Sequence, residues 1–158
     1  MQKIRPFLWF DKEAEEAANF YVSIFQNSRI TDVTRYGEPG PGPAGSVMTV
    51  AFVLDGQEFI ALNGGPHFRF TEAVSMFVTC DNQAEVDYFW DKLMAGGGQS
   101  SQCGWLKDRF GLSWQIVPAV LMTLLQDPDP ATSARVMQAM LQMVKLDIAA
   151  LQRAHADE

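Results

Sequence analysis

The sequence is poor in the residues that carry most metal and redox chemistry, with two cysteines and two histidines in 158 residues. Cys80 and Cys103 are too few to crosslink a secreted scaffold and lack the spacing of metal ligands, so they indicate a reducing compartment. His67 lies in a glycine- and proline-rich segment, and His155 lies close to the C-terminus. A metal site shared by the two histidines would require these segments to meet, and none is predicted.

Cations are also scarce, with 12 Lys and Arg against 19 Asp and Glu, a formal net charge of −7. Nucleic acids and anionic membrane surfaces attract basic faces, and no cluster of Lys or Arg supplies one. No apolar run approaches the roughly 20 residues that cross a bilayer. The short apolar start reaches Asp11 before a signal-peptide core could form. We therefore expect a cytoplasmic protein with neither a nucleic-acid nor a membrane partner.

Glycine-rich turns that bind phosphates or nucleotides are missing as well, because such a turn must follow a strand and precede a helix. The glycines at 96–98 follow a predicted helix and precede a predicted strand, and the turn at 64–66 lacks the pattern. No Rossmann-type site is predicted, and a Ser/His/Asp triad has no nucleophile elbow to begin it.

What is present is a unit of a strand, a helix and further strands that occurs twice. The first unit has predicted strands at 4–10, 28–36, 47–54 and 58–62 and a helix at 12–25, with Asp11 as its N-cap. The second has predicted strands at 73–80, 99–107 and 112–117 and a helix that Asp81 caps. Phe7 and Asp11 fall on Phe77 and Asp81 at an offset of 70 residues. Two unrelated α+β stretches are the alternative to a repeat.

The repeat predicts one α+β domain over residues 1–118, made of two βαβββ modules at about 1–66 and 67–118. Residues 119–158 are predicted to be a helical extension. Asp129 is a good N-cap, with Pro130 at the first helical position. One apolar stripe continues from there to the C-terminus: Met137, Met140, Leu141, Val144, Ile148 and Leu151. We expect one helix that covers the sheet of its own chain or of a second subunit.

Aromatic residues on the predicted strands and adjoining loops are more numerous than one core face usually needs. The excess suggests a cleft, with uncharged polar residues to orient a ligand. The candidate ligand-binding residues are Trp9, Asn63, Phe68, Trp105, Trp114 and Gln115. The alternative for each residue is that it lies in the core, with its polar groups hydrogen-bonded inside the protein.

Three segments resemble the PhnB-like branch of the glyoxalase/bleomycin resistance/dioxygenase superfamily, also called vicinal oxygen chelate proteins. They are PFLWFDKEAEEAANFY, ALNGGPHF and QCGWLKDRFGLSWQIVP. The resemblance covers nearly the whole chain and is most specific in the last segment. It implies paired βαβββ modules that each curve into a half-barrel, and a homodimer whose subunits share or complete the clefts.

The resemblance also implies where metal ligands would lie, since metal-using relatives carry His, Gln or Glu on the first and last strand of each module. The corresponding positions here are Ile4, Ile60 or Ala61, Val74 and Gln115. One neutral amide cannot offset the desolvation of a divalent cation, so we predict no bound metal and no cofactor. The family is often labelled as a demethylubiquinone methyltransferase, but the glycine-rich turn for a methyltransferase cofactor is missing.

These observations leave three functions open. The first is a module that binds a small apolar or aromatic molecule in a metal-free cleft. The second is a metal-independent isomerase, lyase or transferase in which Cys103 or Asp108 is the nucleophile or proton carrier, with Lys107 lowering the thiol pKa. The third is a dimeric scaffold that binds a partner through its C-terminal helix.

Overall fold

The computed structural model describes residues 2–158 and divides into two compact units, Met1–Phe70 and Thr71–Glu158. The first unit contains β1 (Phe7–Phe10), α1 (Ala14–Ile24), β2 (Arg29–Arg35), β3 (Val47–Leu54) and β4 (Gln57–Asn63). Its strands form a sheet in the order β1-β4-β3-β2, in which β1 runs parallel to β4 and the other pairs are antiparallel. Helix α1 packs on β3 and β4 and buries its apolar stripe there, including Ala17, Tyr21 and Ile24.

The N-terminus of α1 differs from the prediction. The helix begins at Ala14 after Glu13, and no side chain of the preceding segment caps it, so the expected cap at Asp11 is wrong. The amide of Ala14 donates instead to Oδ1 of Asn63, at 2.8 Å. A residue 49 positions away thus satisfies one of the free amides of the first turn.

The second unit repeats the order with β5 (Ser75–Cys80), α2 (Gln83–Met94), β6 (Gln99–Ser100), β7 (Trp105–Lys107) and β8 (Ser113–Pro118). Its sheet has the order β5-β8-β7-β6, which is the topology of the first sheet, again with a parallel pair between the first and last strands. The predicted α+β fold with two βαβββ modules is confirmed. The cap of α2 is Asn82 rather than Asp81, and its Oδ1 accepts from the amide of Glu85 at 2.9 Å.

The predicted strand at 99–107 is interrupted. Cys103 and Gly104 have φ values of 58° and 85°, and two successive left-handed residues turn the chain out of a strand. The result is two short strands, β6 and β7, with a turn between them.

The tail folds as three helices, α3 (Ala119–Leu125), α4 (Pro130–Leu141) and α5 (Ile148–Ala156), and not as the single helix that the apolar stripe predicts. Asp129 caps α4 as expected, and Asp147 caps α5. Side chains from these helices, from the connection between α4 and α5 and from the end of β8 form one buried cluster: Val117, Leu121, Leu124, Val136, Leu146 and Leu151. Over residues 2–158, no helix is long and apolar enough to span a membrane.

Candidate functional site

Each sheet has one side covered by its helix, and we call the opposite side the open face. On β1 the residues alternate, with Leu8 and Phe10 buried toward α1 and Phe7 and Trp9 on the open face. Phe7 is 55% exposed and lies beside Ile60 of β4. The open face of the first sheet therefore carries an aromatic side chain in contact with solvent.

Trp9 is held by the turn that follows β4. Its Nε1 donates to the carbonyl of Gly65 at 2.9 Å, and its ring meets Phe68 edge-on with the centroids 4.9 Å apart. The indole lies directly against Gly64, where a Cβ atom would overlap the ring. Glycine is required there because only a bare backbone leaves room for the indole. The structure thus brings Trp9 and Phe68 together, and Phe68 is 66% exposed.

Asn63 is used inside the protein. Besides capping α1 through Oδ1, its Nδ2 donates to the carbonyl of Val47 at 3.1 Å. The backbone carbonyl of Asn63 accepts from the hydroxyl of Tyr36 at 2.5 Å. Its polar groups therefore tie α1, β3 and the end of β2 to β4, and the orienting role predicted for Asn63 stays a prediction.

The open face of the second sheet carries a row of three residues across its strands. Gln115 on β8 lies between Phe77 on β5 and Trp105 on β7 in the strand register. Phe77 is 52% exposed, and Trp105 and Gln115 are half-buried. Trp105 and Gln115, predicted separately, are thus direct neighbours. The pairing of Phe77 with Gln115 matches that of Phe7 with Ile60 in the first sheet.

A second row beside it is polar, and its residues were not predicted from the sequence. Ser113 lies between Ser75 and Lys107, and Nε2 of Gln115 donates to Oγ of Ser75 at 2.9 Å. The Oγ of Ser113 is buried without a hydrogen-bond partner among the described residues. Residues two apart on a strand share a face, so Ser113 could have been placed on the face of Gln115 from the sequence. The position of Ser75 could not, because it depends on how β5 pairs with β8.

Lys107 forms an ion pair with Glu72, and its hydrogen bond lowers the pKa of the Glu72 carboxyl. The Lys107 ammonium is thus engaged with a carboxylate rather than with a thiol. Cys103 is half-buried, and its amide donates to the carbonyl of Met143. Burial raises the pKa of the Cys80 thiol to about 12, so Cys80 is a neutral core residue at physiological pH. The catalytic role predicted for Cys103 stays a prediction.

Asp108 and Trp114 form a buried pair. Trp114, expected in the cleft, shares its face with Leu106 on the side covered by α2 and is 2% exposed, so its indole is not on the open face. Its Nε1 donates to Oδ2 of Asp108 at 2.9 Å, while Oδ1 accepts from the amides of Phe110 and Leu112. The carboxylate of Asp108 thus organises the turn between β7 and β8, which satisfies its acceptors without a substrate.

The residues at the implied metal positions do not fit a divalent cation. Ile4 and Val74 precede β1 and β5 and are 88% and 64% exposed. Ala61 is buried, Ile60 offers no donor atom, and Gln115 alone can coordinate. Over the described part of the chain, no three His, Cys, Asp or Glu side chains come together as ligands. One amide does not make a site for a hard cation.

Comparison with solved structures agrees with this topology. The FosX fosfomycin resistance protein from Listeria monocytogenes is 14% identical, with a TM-score of 0.51 over 75% of this chain and 93% of its own. Protein PA1353 from Pseudomonas aeruginosa is 21% identical, with a TM-score of 0.61 over 75% of this chain and 98% of its own. The fold is that of the glyoxalase/bleomycin resistance proteins.

Closer similarity defines the family. The model of the 3-demethylubiquinone-9 3-methyltransferase family matches residues 2–117. A putative 3-demethylubiquinone-9 3-methyltransferase from Bacillus cereus, described as a PhnB protein, is 41% identical, with a TM-score of 0.68 over 75% of this chain and all of its own. A comparison with curated proteins finds no significant match. The chain belongs to this PhnB-like 3-demethylubiquinone-9 3-methyltransferase family.

Proposed function

We propose that the chain binds a small apolar or aromatic molecule on the open faces of its sheets, without a metal or another cofactor. The observation that carries the proposal is the exposure of Phe7 and Phe77, which occupy equivalent places in the two modules and are 55% and 52% exposed. Exposed aromatic side chains on the face opposite a helix indicate a surface that a ligand or a second chain covers.

The energetics support a ligand with a ring or a compact apolar body. Covering a phenylalanine side chain is worth about 1.5–3 kcal/mol, and edge-to-face contact with a ring adds to that. In the first unit, Trp9 and Phe68 extend the same apolar surface beside Phe7. In the second unit, Trp105 flanks Gln115 on the side opposite Phe77.

Polar groups of the second sheet can orient the ligand by hydrogen bonds. Nε2 of Gln115 is bonded to Ser75, while its Oε1 has no donor within residues 2–158 and can accept from a ligand N–H or O–H. The neighbouring Ser113 hydroxyl is buried and has no hydrogen-bond partner within residues 2–158, a situation that costs about 1–3 kcal/mol. The ligand class is therefore an apolar or aromatic molecule that carries at least one hydrogen-bonding group.

We do not propose methyl transfer from the family's name. A nucleotide-type cofactor site needs a glycine-rich turn between a strand and a helix. The connections from β1 to α1 and from β5 to α2, at residues 11–13 and 81–82, contain no glycine. The proposed activity is binding alone.

Two further proposals concern the state of the protein. We propose a homodimer, since a second copy could complete a cleft beside Phe7 or Phe77, both more than half exposed. We also propose a cytoplasmic location, which the two free thiols support because they persist in a reducing compartment.

The test is titration of the purified chain with 8-anilino-1-naphthalenesulfonate, an aromatic probe, followed by fluorescence. We expect Phe77→Ala to weaken binding about tenfold or more, because the ring is lost from the open face. The matched control is Tyr88→Ala, which removes a 41% exposed ring from α2 and is expected to leave the affinity unchanged. Equal affinity for the wild type and both variants would overturn the proposal.

Native mass spectrometry and elemental analysis of the same sample test the remaining parts. A metal-free dimer with a bound organic molecule is expected. One metal ion per chain would contradict the metal-free site, and a monomer at micromolar concentration would contradict the homodimer.

A further inference from the structure

The tail makes specific contacts with the candidate site. The family match ends at residue 117, and the Bacillus cereus structure is covered completely by 75% of this chain. Residues 142–147, which join α4 to α5 and which we call the strap, nevertheless run beside the turn that precedes Trp105. An element outside the family match thus contacts a segment inside it.

Backbone hydrogen bonds join the strap to this turn. The amide of Cys103 donates to the carbonyl of Met143 at 2.9 Å, and the amide of Gly104 donates to that of Val144 at 2.8 Å. On its other side, the carbonyl of Gly104 accepts from the amide of Ile116 on β8 at 2.8 Å. The turn is therefore bonded both to the sheet and to the strap.

Gly104 makes this approach possible. A Cβ atom at residue 104 would lie 2.8 Å from the carbonyl oxygen of Ile116 and 3.0 Å from Cδ1 of Leu146. Both distances are shorter than ordinary van der Waals contact, so the Leu146 side chain lies where a side chain at residue 104 would extend. Leu146 is fully buried there, which fixes the strap against the turn.

The first residue of α2 holds the other edge of the strap. Gln83 donates from Nε2 to the carbonyl of Leu146 at 3.0 Å and accepts at Oε1 from the amide of Ile148 at 2.8 Å. Lys145 of the strap also pairs with Asp87, one turn along α2, at 2.8 Å. One side-chain amide thus satisfies two backbone groups that the break between α4 and α5 leaves unpaired.

We propose that the strap is a positioning element for the open face of the second sheet, with Gln83 and Leu146 as its positioning residues. It orders the left-handed turn at Cys103 and Gly104, and thereby sets the place of Trp105 beside Gln115. Without the strap, the two amides of the turn lose their acceptors and β7 loses its fixed start. The effect on ligand affinity rests on the proposed binding function, whereas the effect on the turn does not.

The experiment compares Gln83→Leu with Gln57→Leu in the full-length chain. Gln57 is the matched control, because its Nε2 makes two hydrogen bonds, to Gln2 and to the Glu58 carbonyl, in the first unit. Nε2 of Gln83 likewise makes two, to the Leu146 carbonyl and to Oδ1 of Asp87. The first readout is the iodoacetamide alkylation rate of each cysteine, measured by peptide mass spectrometry. We expect the Cys103 rate to rise about fivefold or more in Gln83→Leu through local opening, with Cys80 unchanged and Gln57→Leu like the wild type.

The second readout is the affinity for 8-anilino-1-naphthalenesulfonate, which we expect to fall about threefold or more in Gln83→Leu because Trp105 is displaced. An unchanged Cys103 rate would overturn the proposal, and so would a parallel rise at Cys80, which reports general unfolding. If the wild type does not bind the probe, the proposed binding function is wrong. The alkylation rate of Cys103 still tests whether the strap orders the turn. Leu146→Ala is the second variant, with the same expected direction.

Discussion

The two modules share one topology, but different contacts cap their helices and support their strands. In the first, the helix cap comes from the end of β4, beside Phe10 of β1, where Asn63 accepts from Ala14. In the second, Asn82 caps α2 from within its own turn. The first sheet ends in long strands of seven and eight residues, β2 and β3, whereas β6 and β7 have two and three residues.

The difference shows where each module obtains its stability. The long β2–β3 ladder pairs from Arg29 to Arg35 with two register shifts, so it has more backbone pairs than β6 and β7 have. The turn at Cys103 and Gly104 joins the short strands β6 and β7. Hydrogen bonds with the strap and with Asp108 support this segment. A repeated fold therefore does not imply repeated stabilising contacts, and matched substitutions in the two modules should have unequal effects.

The largest expected difference lies between two glycines with the same φ of +85°, Gly104 and Gly56. Gly104→Ala combines the left-handed strain with overlap against Ile116 and Leu146, and should lower the free energy of unfolding by about 4 kcal/mol. Gly56→Ala has open space around its Cβ and should cost about 1 kcal/mol. Urea denaturation measures both, and equal losses would contradict the close packing of the strap.

The next comparison concerns the aspartates of the last hairpin in each module. Asp108→Asn replaces a buried carboxylate oxygen that accepts hydrogen bonds, and should lower the free energy of unfolding by about 2–3 kcal/mol. Asp55→Asn changes an exposed residue at φ 47° and should stay within about 0.5 kcal/mol, since Asn tolerates that conformation. If Asp108→Asn abolished an activity while leaving stability intact, Asp108 would be catalytic rather than structural.

The two helix caps should differ by a smaller amount. Asn63→Ala removes the cap of α1 and the bond to Val47, for a loss of about 2 kcal/mol. Asn82→Ala removes one local cap and should cost about 1 kcal/mol. Thermal and urea unfolding of the two variants test which one loses more stability. A larger loss of unfolding free energy for Asn82→Ala would contradict the role of Asn63 in joining α1 and β3 to β4.

The smallest effect concerns acid sensitivity in the second unit. The hydrogen bond from Lys145 lowers the pKa of Asp87. A carboxyl with a lowered folded-state pKa contributes stability above its unfolded pKa of about 3.9, and this is lost as pH falls through the folded value. Lys145→Gln should move the Asp87 pKa up toward its ordinary value and weaken this acid dependence. Carboxyl titration by nuclear magnetic resonance checks the shift, and identical titration curves would contradict it.

Several features were predictable from local residues. The two modules, the apolar stripes of α1 and α2 and the cap at Asp129 follow from periodicity and short-range chemistry, whereas the cap of α2 was predicted one residue too early, at Asp81. The aromatic surface was only partly predictable. Trp9, Phe68, Trp105 and Gln115 come together as neighbours within each unit, but Trp114 has the opposite strand parity and lies in the core.

The sequence by itself determined the fold class and the repeat, because side-chain period and turn chemistry act between residues close in the chain. Only the tertiary structure decided the cap of α1, the break between α4 and α5 and the start of β7. The stripe from Met140 to Leu151 suits a continuous helix, yet the carbonyls of Met143 and Val144 bond to Cys103 and Gly104 instead. Those contacts join residues about 40 positions apart, and long-range packing overrides local helix propensity in such cases.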